Sequence, residues 1–583
     1  MEFIVSNCFI KRGRKVTESL FAYGDFHRTG RYEYILEGYI VDRTVSSVTE
    51  MIARGLENCT PLGAYNVVLV DPENDTFEVK TDKRSYVPLY VFQSQGKVAV
   101  SNNPWLLADE FRDDITLDES SLRAQLVYAT DPVPCRTLLK HITRIGVGAY
   151  LRYESKTGRL SSRQDYDFKY LPDDRISLEE QLAIADDDFT RFFSTVAAQN
   201  PDMVAGYGCS GGLDSRLIAH YTNKVGIKTK PFVVGEKRPN KLLESVTAKM
   251  SKRIAEHYGS TVDFIPYRRS WLADSMLLDI RNHPFFFSQA FINPAFDLPE
   301  YDYMFVGDPG GYAYLAAAVL SGNYGKLKQH ADFFLGNRKD AFKGFADVYR
   351  KSAHHLHLSF DPYAESGFCS LSECTIDRVM DPKDLKIARE ELFETIDGFN
   401  GTDNVEKWIN IHDNITTKYQ FSSAYDSMNQ TKRCYTIYYP FFYEQLRTLP
   451  QQFLKDKFFL KKFLVYINPE FKNIPDQNLN LIFQKQNPLK KAFNRVELLL
   501  RGRGLQILHL LNTQEYHDLC AASFSRENPV FNSMIDPEAL RASGLLRTYA
   551  GVEYLKVKMI ADIVYYKEFE MLVGLKQFEK VSW

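Results

Sequence analysis

The stretch Met203-Val204-Ala205-Gly206-Tyr207-Gly208-Cys209-Ser210-Gly211-Gly212-Leu213-Asp214-Ser215-Arg216 decides how this chain is read. The apolar run Met203–Tyr207 predicts a strand. A glycine turn follows, and Ser215–Lys224 has the spacing of a helix that stops at Gly226. Glycines admit positive φ and close backbone approach, so successive N–H groups converge where the helix begins. The helix N-terminus adds about half a positive charge. Such a turn is an anion site. Ser210 and Ser215 can donate hydroxyls to phosphate oxygens, whereas Asp214 would repel a bare phosphate and so implies a bridging Mg²⁺. Two alternatives stand beside this. One is a plain Gly/Ser turn that only starts a helix. The other is a serine hydrolase, because Gly208-Cys209-Ser210-Gly211-Gly212 satisfies G-x-S-x-G between a strand and a helix. A hydrolase needs a later acid and then a later His; Asp413 or Asp456 followed by His517 fit that order, none in a convincing loop.

Working outward, the composition of the elements changes at Leu171-Pro172-Asp173-Asp174. Ile176–Ala198 then reads as a long helix leading into the strand. Downstream come a strand at Lys230–Val234, a helix at Leu242–Tyr258 closed by Gly259, and a strand at Val262–Pro266. A further strand, Tyr303–Val306, ends in Gly307-Asp308-Pro309-Gly310-Gly311. Strands alternating with helices over short connections predict a mostly parallel sheet with right-handed crossovers. Upstream, residues 1–165 are strand-rich, with alternation at Tyr34–Val41, Ala64–Val70, Thr76–Thr81, Val87–Phe92 and Lys97–Ser101. One helix, Val48–Leu56 behind Ser46 and Ser47, interrupts them. This predicts a layered antiparallel domain. The chain beyond residue 325 reads as mainly helical and aromatic, with the tail from Glu515 to Trp583 capping what precedes it.

The 583 residues correspond to about three to five domains' worth of core. With 72 basic against 74 acidic side chains the net charge is −2, which argues against a non-specific nucleic-acid binder. No apolar run is long enough to span a membrane. Lys11, Arg12, Arg14 and Lys15 follow the first short apolar run, the reverse of a secretory signal. Eight cysteines without a CxxC pair fit reduced cytosolic thiols rather than disulfides or zinc. A cytoplasmic protein with no nucleic-acid or membrane partner is the expectation.

Ser210-Gly211-Gly212-Leu213-Asp214-Ser215-Arg216 resembles the SGGxDS pyrophosphate loop of N-type ATP pyrophosphatases, in the SGGLDSR form of the asparagine synthetase family. Other landmarks agree. Gly63-Ala64-Tyr65 through Asp71, followed by Thr81-Asp82-Lys83-Arg84-Ser85-Tyr86-Val87-Pro88-Leu89-Tyr90, resembles the amidotransferase pattern. Tyr439-Pro440-Phe441-Phe442-Tyr443 with Leu449-Pro450 resembles the family's "PFLD…LP" segment. The resemblance covers about residues 30–475 and is strongest at the loop. It implies an α/β protein with three parts. Residues 1–170 would be a degenerate Ntn-hydrolase-like amidotransferase β-sandwich, and 171–480 a doubly wound ATP pyrophosphatase domain. Residues 481–583 would form a helical extension completing that domain. It also implies ATP and Mg²⁺ as cofactors and a ligase that adenylates a carboxylate for amide formation. Ser210, Gly211, Gly212, Leu213, Asp214, Ser215 and Gly307 would hold the nucleotide phosphates, and Val233 and Gly235 would flank the adenine. Asp214 and Asp308 would bind the metal.

The departures from the family pattern carry information. Glutamine-dependent members use an N-terminal Cys whose α-amine is the general base. Here residue 2 is Glu2, which does not favour removal of the initiator Met, and Cys8 has no free amine. The N-terminal part therefore resembles the glutaminase-inactive one of β-lactam synthetase and lasso-peptide cyclase. The amine would then come from the substrate, from a second substrate, or from free ammonia. Where the family has "G-x-G-x-DE", this chain has Gly307-Asp308-Pro309, so Asp308 occupies the position expected of the metal-coordinating acid and Pro309 replaces the Glu. Lys485, ten residues beyond Pro475, is the candidate catalytic Lys, with Lys457 and Lys461 also in that region. Ammonia-dependent amidation of aspartate or a sugar acid, and a non-catalytic scaffold, are the alternatives. His354-His355-Leu356-His357 lacks partners for a metal site, and the basic stretch Lys490, Lys491, Arg495, Arg501 and Arg503 reads as a solvated face.

Overall fold

The structure is a computed structural model. It describes residues 2–42, 44–128, 131, 133–166, 168–234, 245–265, 272–282, 284–285, 301–307, 379–398, 414, 433–437, 445–454, 458–475, 488–489, 493–494, 513–543, 546 and 549–573. The chain is a mixed α/β protein, with two antiparallel sheets and one parallel sheet among the described residues.

The first sheet orders its strands β10 (Ile142–Arg144), β8 (Tyr90–Ser94), β9 (Lys97–Ser101), β1 (Ile4–Ser6), β3 (Phe21–Tyr23) and β2 (Arg14–Lys15). The second runs β12 (Arg159–Gln164), β11 (Ala149–Glu154), β7 (Thr76–Thr81), β6 (Gly63–Asp71), β5 (Tyr32–Ile40) and β4 (His27–Thr29). Period-two alternation sorts their side chains. Val68 and Val70 of β6 face Val5, Val91, Val98 and Val100 across the inter-sheet core, while Val67 and Leu69 pack outward on Val48 and Met51 of helix α1 (Val48–Arg54). The outer face of the first sheet is covered by α2 (Pro104–Glu110) and α3 (Glu119–Tyr128). The layers are thus helix, sheet, sheet, helix.

Ser47 caps α1 as its sequence suggests, accepting the Glu50 N–H. Strand β8 begins at Tyr90 rather than at the expected Val87. The Asp82 carboxylate accepts the Arg84 and Tyr86 N–H groups, which holds the chain in a turn, and Pro88 has no N–H for a ladder.

The connection to the second half is pinned: the Leu171 and Asp173 N–H groups donate to Arg447 O (2.7 Å) and Thr448 O (3.0 Å). Helix α4 (Leu178–Gln199) follows, opened by a Ser177/Glu180 capping box. Then come β13 (Val204–Gly208), α5 (Leu213–Val225), β14 (Lys228–Val234), α6 (Val246–His257), β15 (Asp263–Ile265), α7 (Leu272–Asn282), β16 (Tyr303–Val306), α8 (Pro382–Gly398) and β17 (Arg433–Thr436). All five strands are parallel, in the order β15-β14-β13-β16-β17. The fifth strand, β17, lies in a region the sequence assigned to helices. It is four residues long and buried on both faces, so it shows no polar alternation to betray it. The aromatic, β-branched run Tyr435-Thr436-Ile437 was the available signal.

Both faces of this sheet are apolar. Ala205, Tyr207, Phe305 and Tyr435 pack on Phe189 and Phe193 of α4, Leu217 and Tyr221 of α5, and Phe459 and Phe463 of α9 (Phe458–Ile467). Phe232, Met304 and Cys434 face the other way, toward α7, α10 (Gln514–Ser525) and α11 (Tyr549–Tyr565). The same helical core continues to the outer layer of the first sheet: Trp105 of α2 donates its Nε1–H to Ile280 O at 3.0 Å, and the buried Lys556 and Asp279 pair at 2.8 Å. The C-terminal helices therefore bridge both halves of the chain, a wider role than the expected cap on the parallel-sheet domain. A second seam runs through Tyr39 of β5. Its ring lies 4.6 Å from Tyr435, and its hydroxyl accepts the Thr436 N–H at 2.9 Å. No helix among the described residues is long and apolar enough to cross a membrane.

Candidate functional site

Strand order places the glycine–serine turn. Successive connections go outward from β13 to β14 and β15, then return across it to β16 and β17. The chain thus reverses its winding between β13 and β16, and at such a point the carboxyl ends of two neighbouring strands open a crevice. The turn after β13 and Gly307 after β16 are its two lips.

The turn is tightly specified. Beyond Gly208 the Cys209 N–H still donates to Phe232 O (2.7 Å), and the Cys209 side chain is fully buried. Ser251 of α6 donates its hydroxyl to Cys209 O and to Thr247 O. Burial pushes the Cys209 thiol up to about 11, so it stays protonated and inert at neutral pH. Gly211 has φ +75°, and a Cβ there would lie 2.6 Å from the Met250 Cβ. Only glycine fits both conditions. Gly212 is extended and N-caps α5; no side chain caps this helix, and the Gly212 N–H donates to the exposed Ser210 Oγ (3.3 Å).

The helix begins at Leu213, two residues before the expected Ser215. Asp214 is therefore in its first turn, half-buried, and Leu213 packs against the aromatic core beneath. Ser215 corrects its assignment. It is 3% exposed and donates its hydroxyl back to Gly212 O at 3.1 Å, so it rigidifies the turn instead of presenting a donor to a ligand. Ser210, by contrast, is exposed at the turn. Gly307 comes so close that a Cβ on it would lie 2.5 Å from the Asp214 Cβ, which brings the end of β16 against the first turn of α5. Val233 is buried in β14, paired with Phe264 of β15, at the neighbouring carboxyl edge. Gly235, Asp308 and Lys485 lie outside the described residues, as do Asp413, Asp456, Lys457 and the histidines at 354, 355 and 357. Among the described residues no three His, Cys, Asp or Glu side chains cluster as a metal-binding set. His517 sits within helix α10, not in a loop beside Ser210.

Sequence reasoning assigned Arg216 no task, and the structure gives it one. It is fully buried, and its guanidinium donates to Gly211 O (3.2 Å), Phe471 O (3.3 Å), Ile474 O (3.0 Å) and Pro475 O (2.7 Å). The planar fork straps the turn to the segment that follows α9. The available signal was position: a long cation inside the continuous buried run Ser215–Ala219 must find partners indoors. Positive charge beneath the turn and the helix N-terminus above it both favour an anion in the crevice.

Near the N-terminus the Glu2 carboxylate accepts from Asn103 Nδ2 (2.7 Å) and pairs with Arg281 (2.8 Å). The half-buried Cys8 thiol lies 3.2 Å from the Ser6 Oγ, and burial raises its pKa. Glu2 is thus held in a polar cluster spanning α2 and α7.

No family model and no curated protein matches the chain. Among solved structures, glutamine phosphoribosylpyrophosphate amidotransferase from B. subtilis, complexed with ADP and GMP, is similar at 11% identity and a TM-score of 0.17, over 38% of this chain and 53% of that one. A structure described as the allosteric regulatory enzyme of purine biosynthesis is similar at 10% identity and a TM-score of 0.17, over 44% of this chain and 59% of that one. The chain spans little more than half the length of either, and likenesses this low carry no argument about fold or activity.

Proposed function

We propose that this chain is an ATP- and Mg²⁺-dependent ligase that joins a substrate carboxylate to a substrate amine, releasing AMP and pyrophosphate. One observation carries the proposal. At the switch point of a parallel sheet, a glycine turn without a side-chain cap meets an acid on the first turn of its helix, and the lip of the next strand closes to Cβ contact with that acid. These residues fit a polyphosphate held together with a divalent cation. Backbone N–H groups at the start of α5 and the exposed Ser210 hydroxyl would bind the phosphates of the nucleotide substrate. Asp214, with Asp308 next to Gly307 in the chain, would supply hard oxygen ligands to Mg²⁺. When bound, the ion neutralises charge on the departing pyrophosphate. Val233 and Gly235 would border the base, and Lys485 would be the catalytic cation. Gly211 and Arg216 hold the turn rigid, and holding carboxylate, nucleotide and amine together provides much of the rate through proximity. The amine belongs to the substrate or to a second substrate, as in the making of a specialised metabolite or a modified peptide.

The test is carboxylate-dependent ATP–pyrophosphate exchange, using metabolite fractions as the carboxylate source and mass spectrometry to find products lighter by one water. Exchange should vanish in Asp214→Ala and persist in Ser215→Ala, whose hydroxyl is turned inward. Exchange that survives Asp214→Ala removes the assignment.

A further inference from the structure

The lip at Gly307 is held from one side more than from the other. The ladder between β16 and β13 ends at the pair Phe305–Tyr207. The ladder between β16 and β17 runs one residue further, to Val306–Thr436, and the Ile437 N–H donates to Val306 O at 3.1 Å. Val306 is the last residue before the lip, so the lip follows β17. That strand lies at the edge of the parallel sheet among the described residues.

An edge strand of four residues has few bonds of its own to fix it. The Arg433 N–H donates to Asp302 O and the Ile437 N–H to Val306 O, both on the β16 side. Backbone groups alternate along a strand, so the N–H of Thr436 points away from β16. Thr436 is fully buried, and an outward N–H there is costly unless it finds an acceptor. The acceptor comes from the antiparallel half of the chain: it is the Tyr39 hydroxyl, 2.9 Å away, which also lies 3.4 Å from the Thr436 hydroxyl. Tyr39 is itself well anchored. Strand β5 pairs with β6 throughout Glu33–Ile40, and Gln199 of α4 donates to the carbonyl of Ile40 at 3.2 Å. Asn200, at the end of α4, donates to the Tyr435 hydroxyl at 3.0 Å and ties the same seam to the parallel sheet.

We propose that Tyr39 is a positioning residue of the crevice: by holding β17 it sets the separation between Gly307 and Asp214, and with it the fit of the site to polyphosphate and Mg²⁺. This rests on the ligase reading of that crevice. The contact it controls has no slack, because a Cβ on Gly307 would already lie 2.5 Å from the Asp214 Cβ. Mg²⁺ demands near-ideal octahedral geometry, so a lip that drifts outward, carrying the chain toward Asp308, spoils the ligand set. The antiparallel half, which has no part in binding the nucleotide, thereby governs how tightly the nucleotide is held.

The experiment compares the full chain with three single variants. Tyr39→Phe keeps the ring and removes the hydroxyl. Tyr65→Phe, on the neighbouring strand β6, removes a buried hydroxyl that meets no hydrogen-bond partner among the described residues. Trp105→Phe breaks a hydrogen bond elsewhere between the two halves and controls for general loss of stability. Two quantities are measured: amide hydrogen exchange by mass spectrometry over residues 303–307 without nucleotide, and calorimetric titration with ATP and Mg²⁺ in the absence of a carboxylate. Tyr39→Phe should speed exchange at the lip about five-fold or more and weaken binding about ten-fold. The other two variants should stay within about two-fold of the parent in both, even where Trp105→Phe lowers the melting midpoint as far as Tyr39→Phe does. Lip exchange unchanged in Tyr39→Phe overturns the proposal, as does a faster lip with binding at parental strength or an equal loss of binding in Trp105→Phe. The ligase reading fails differently: the parent itself then takes up no ATP with Mg²⁺, which removes the role in nucleotide binding, while lip exchange still decides whether Tyr39 sets the lip.

Discussion

Gly211→Ala is the sharpest probe of the turn. Two costs fall on it. An alanine at φ +75° adopts the left-handed conformation, at about 1–2 kcal/mol. Its Cβ would stand 2.6 Å from the Met250 Cβ, so either the turn or α6 must shift, which costs about 1–3 kcal/mol in a packed region. The usual gain from removing glycine's freedom in the unfolded chain offsets only about 0.4–1 kcal/mol. The net loss should be about 2–4 kcal/mol, lowering the melting midpoint by roughly 3–6 °C for a unit larger than about 250 residues. Differential scanning calorimetry reads the midpoint, and nucleotide-exchange activity should fall with it because the displaced turn carries the N–H groups. Two controls sharpen the outcome. Met250→Ala should not rescue the variant, since the clashing atom is the β-carbon that alanine retains. Gly212→Ala should cost less than about 1 kcal/mol, because its φ is −74° and the nearest atom is the Ser210 Oγ at 3.2 Å. If Gly211→Ala melts within a degree of the parent, the turn does not have the conformation described.

Further outcomes follow from individual contacts. Arg216→Lys keeps the charge but not the fork that reaches four carbonyls; it should cost about 3 kcal/mol or more by chemical denaturation and expose the 471–475 segment to limited proteolysis. His220 is held down to about 4, chiefly by burial and secondarily by Lys224. Above its ordinary value near 6.5 it is neutral in both states. As pH falls from there toward 4, the unfolded chain takes up a proton that the native chain refuses, so stability drops. His220→Gln should flatten the pH 7 to pH 4.5 difference by about 2 kcal/mol. An unchanged slope would contradict the burial. Trp105→Phe removes the donor to Ile280 O and should cost about 1–2 kcal/mol, read as a lowered melting midpoint.

Much of the architecture was legible in the sequence because local rules act on local residues. Glycine and serine between an apolar strand and a helix gave the turn. Ser47 and Gly226 marked helix ends that the structure keeps. Alternation in 64–70 and 76–81 gave two strands of one antiparallel sheet. The misses share a cause as well. β17 is buried on both faces and too short to show a period. The inward turn of the Ser215 hydroxyl depends on where the helix starts, and hydrophobic periodicity locates that only to a residue or two.

What the sequence determined alone is chemistry per position: which residues can bend, donate, accept or carry charge. Only the tertiary structure decided which of them meet. Strand order set β13 beside β16 and so brought Gly307 against Asp214 across about 90 residues of chain. It also drew the carbonyls of 471–475 onto Arg216. The physical reason is that such contacts arise from burying two faces of one sheet against helices distant in sequence. That is a property of the whole packed chain, and no short window of residues records it.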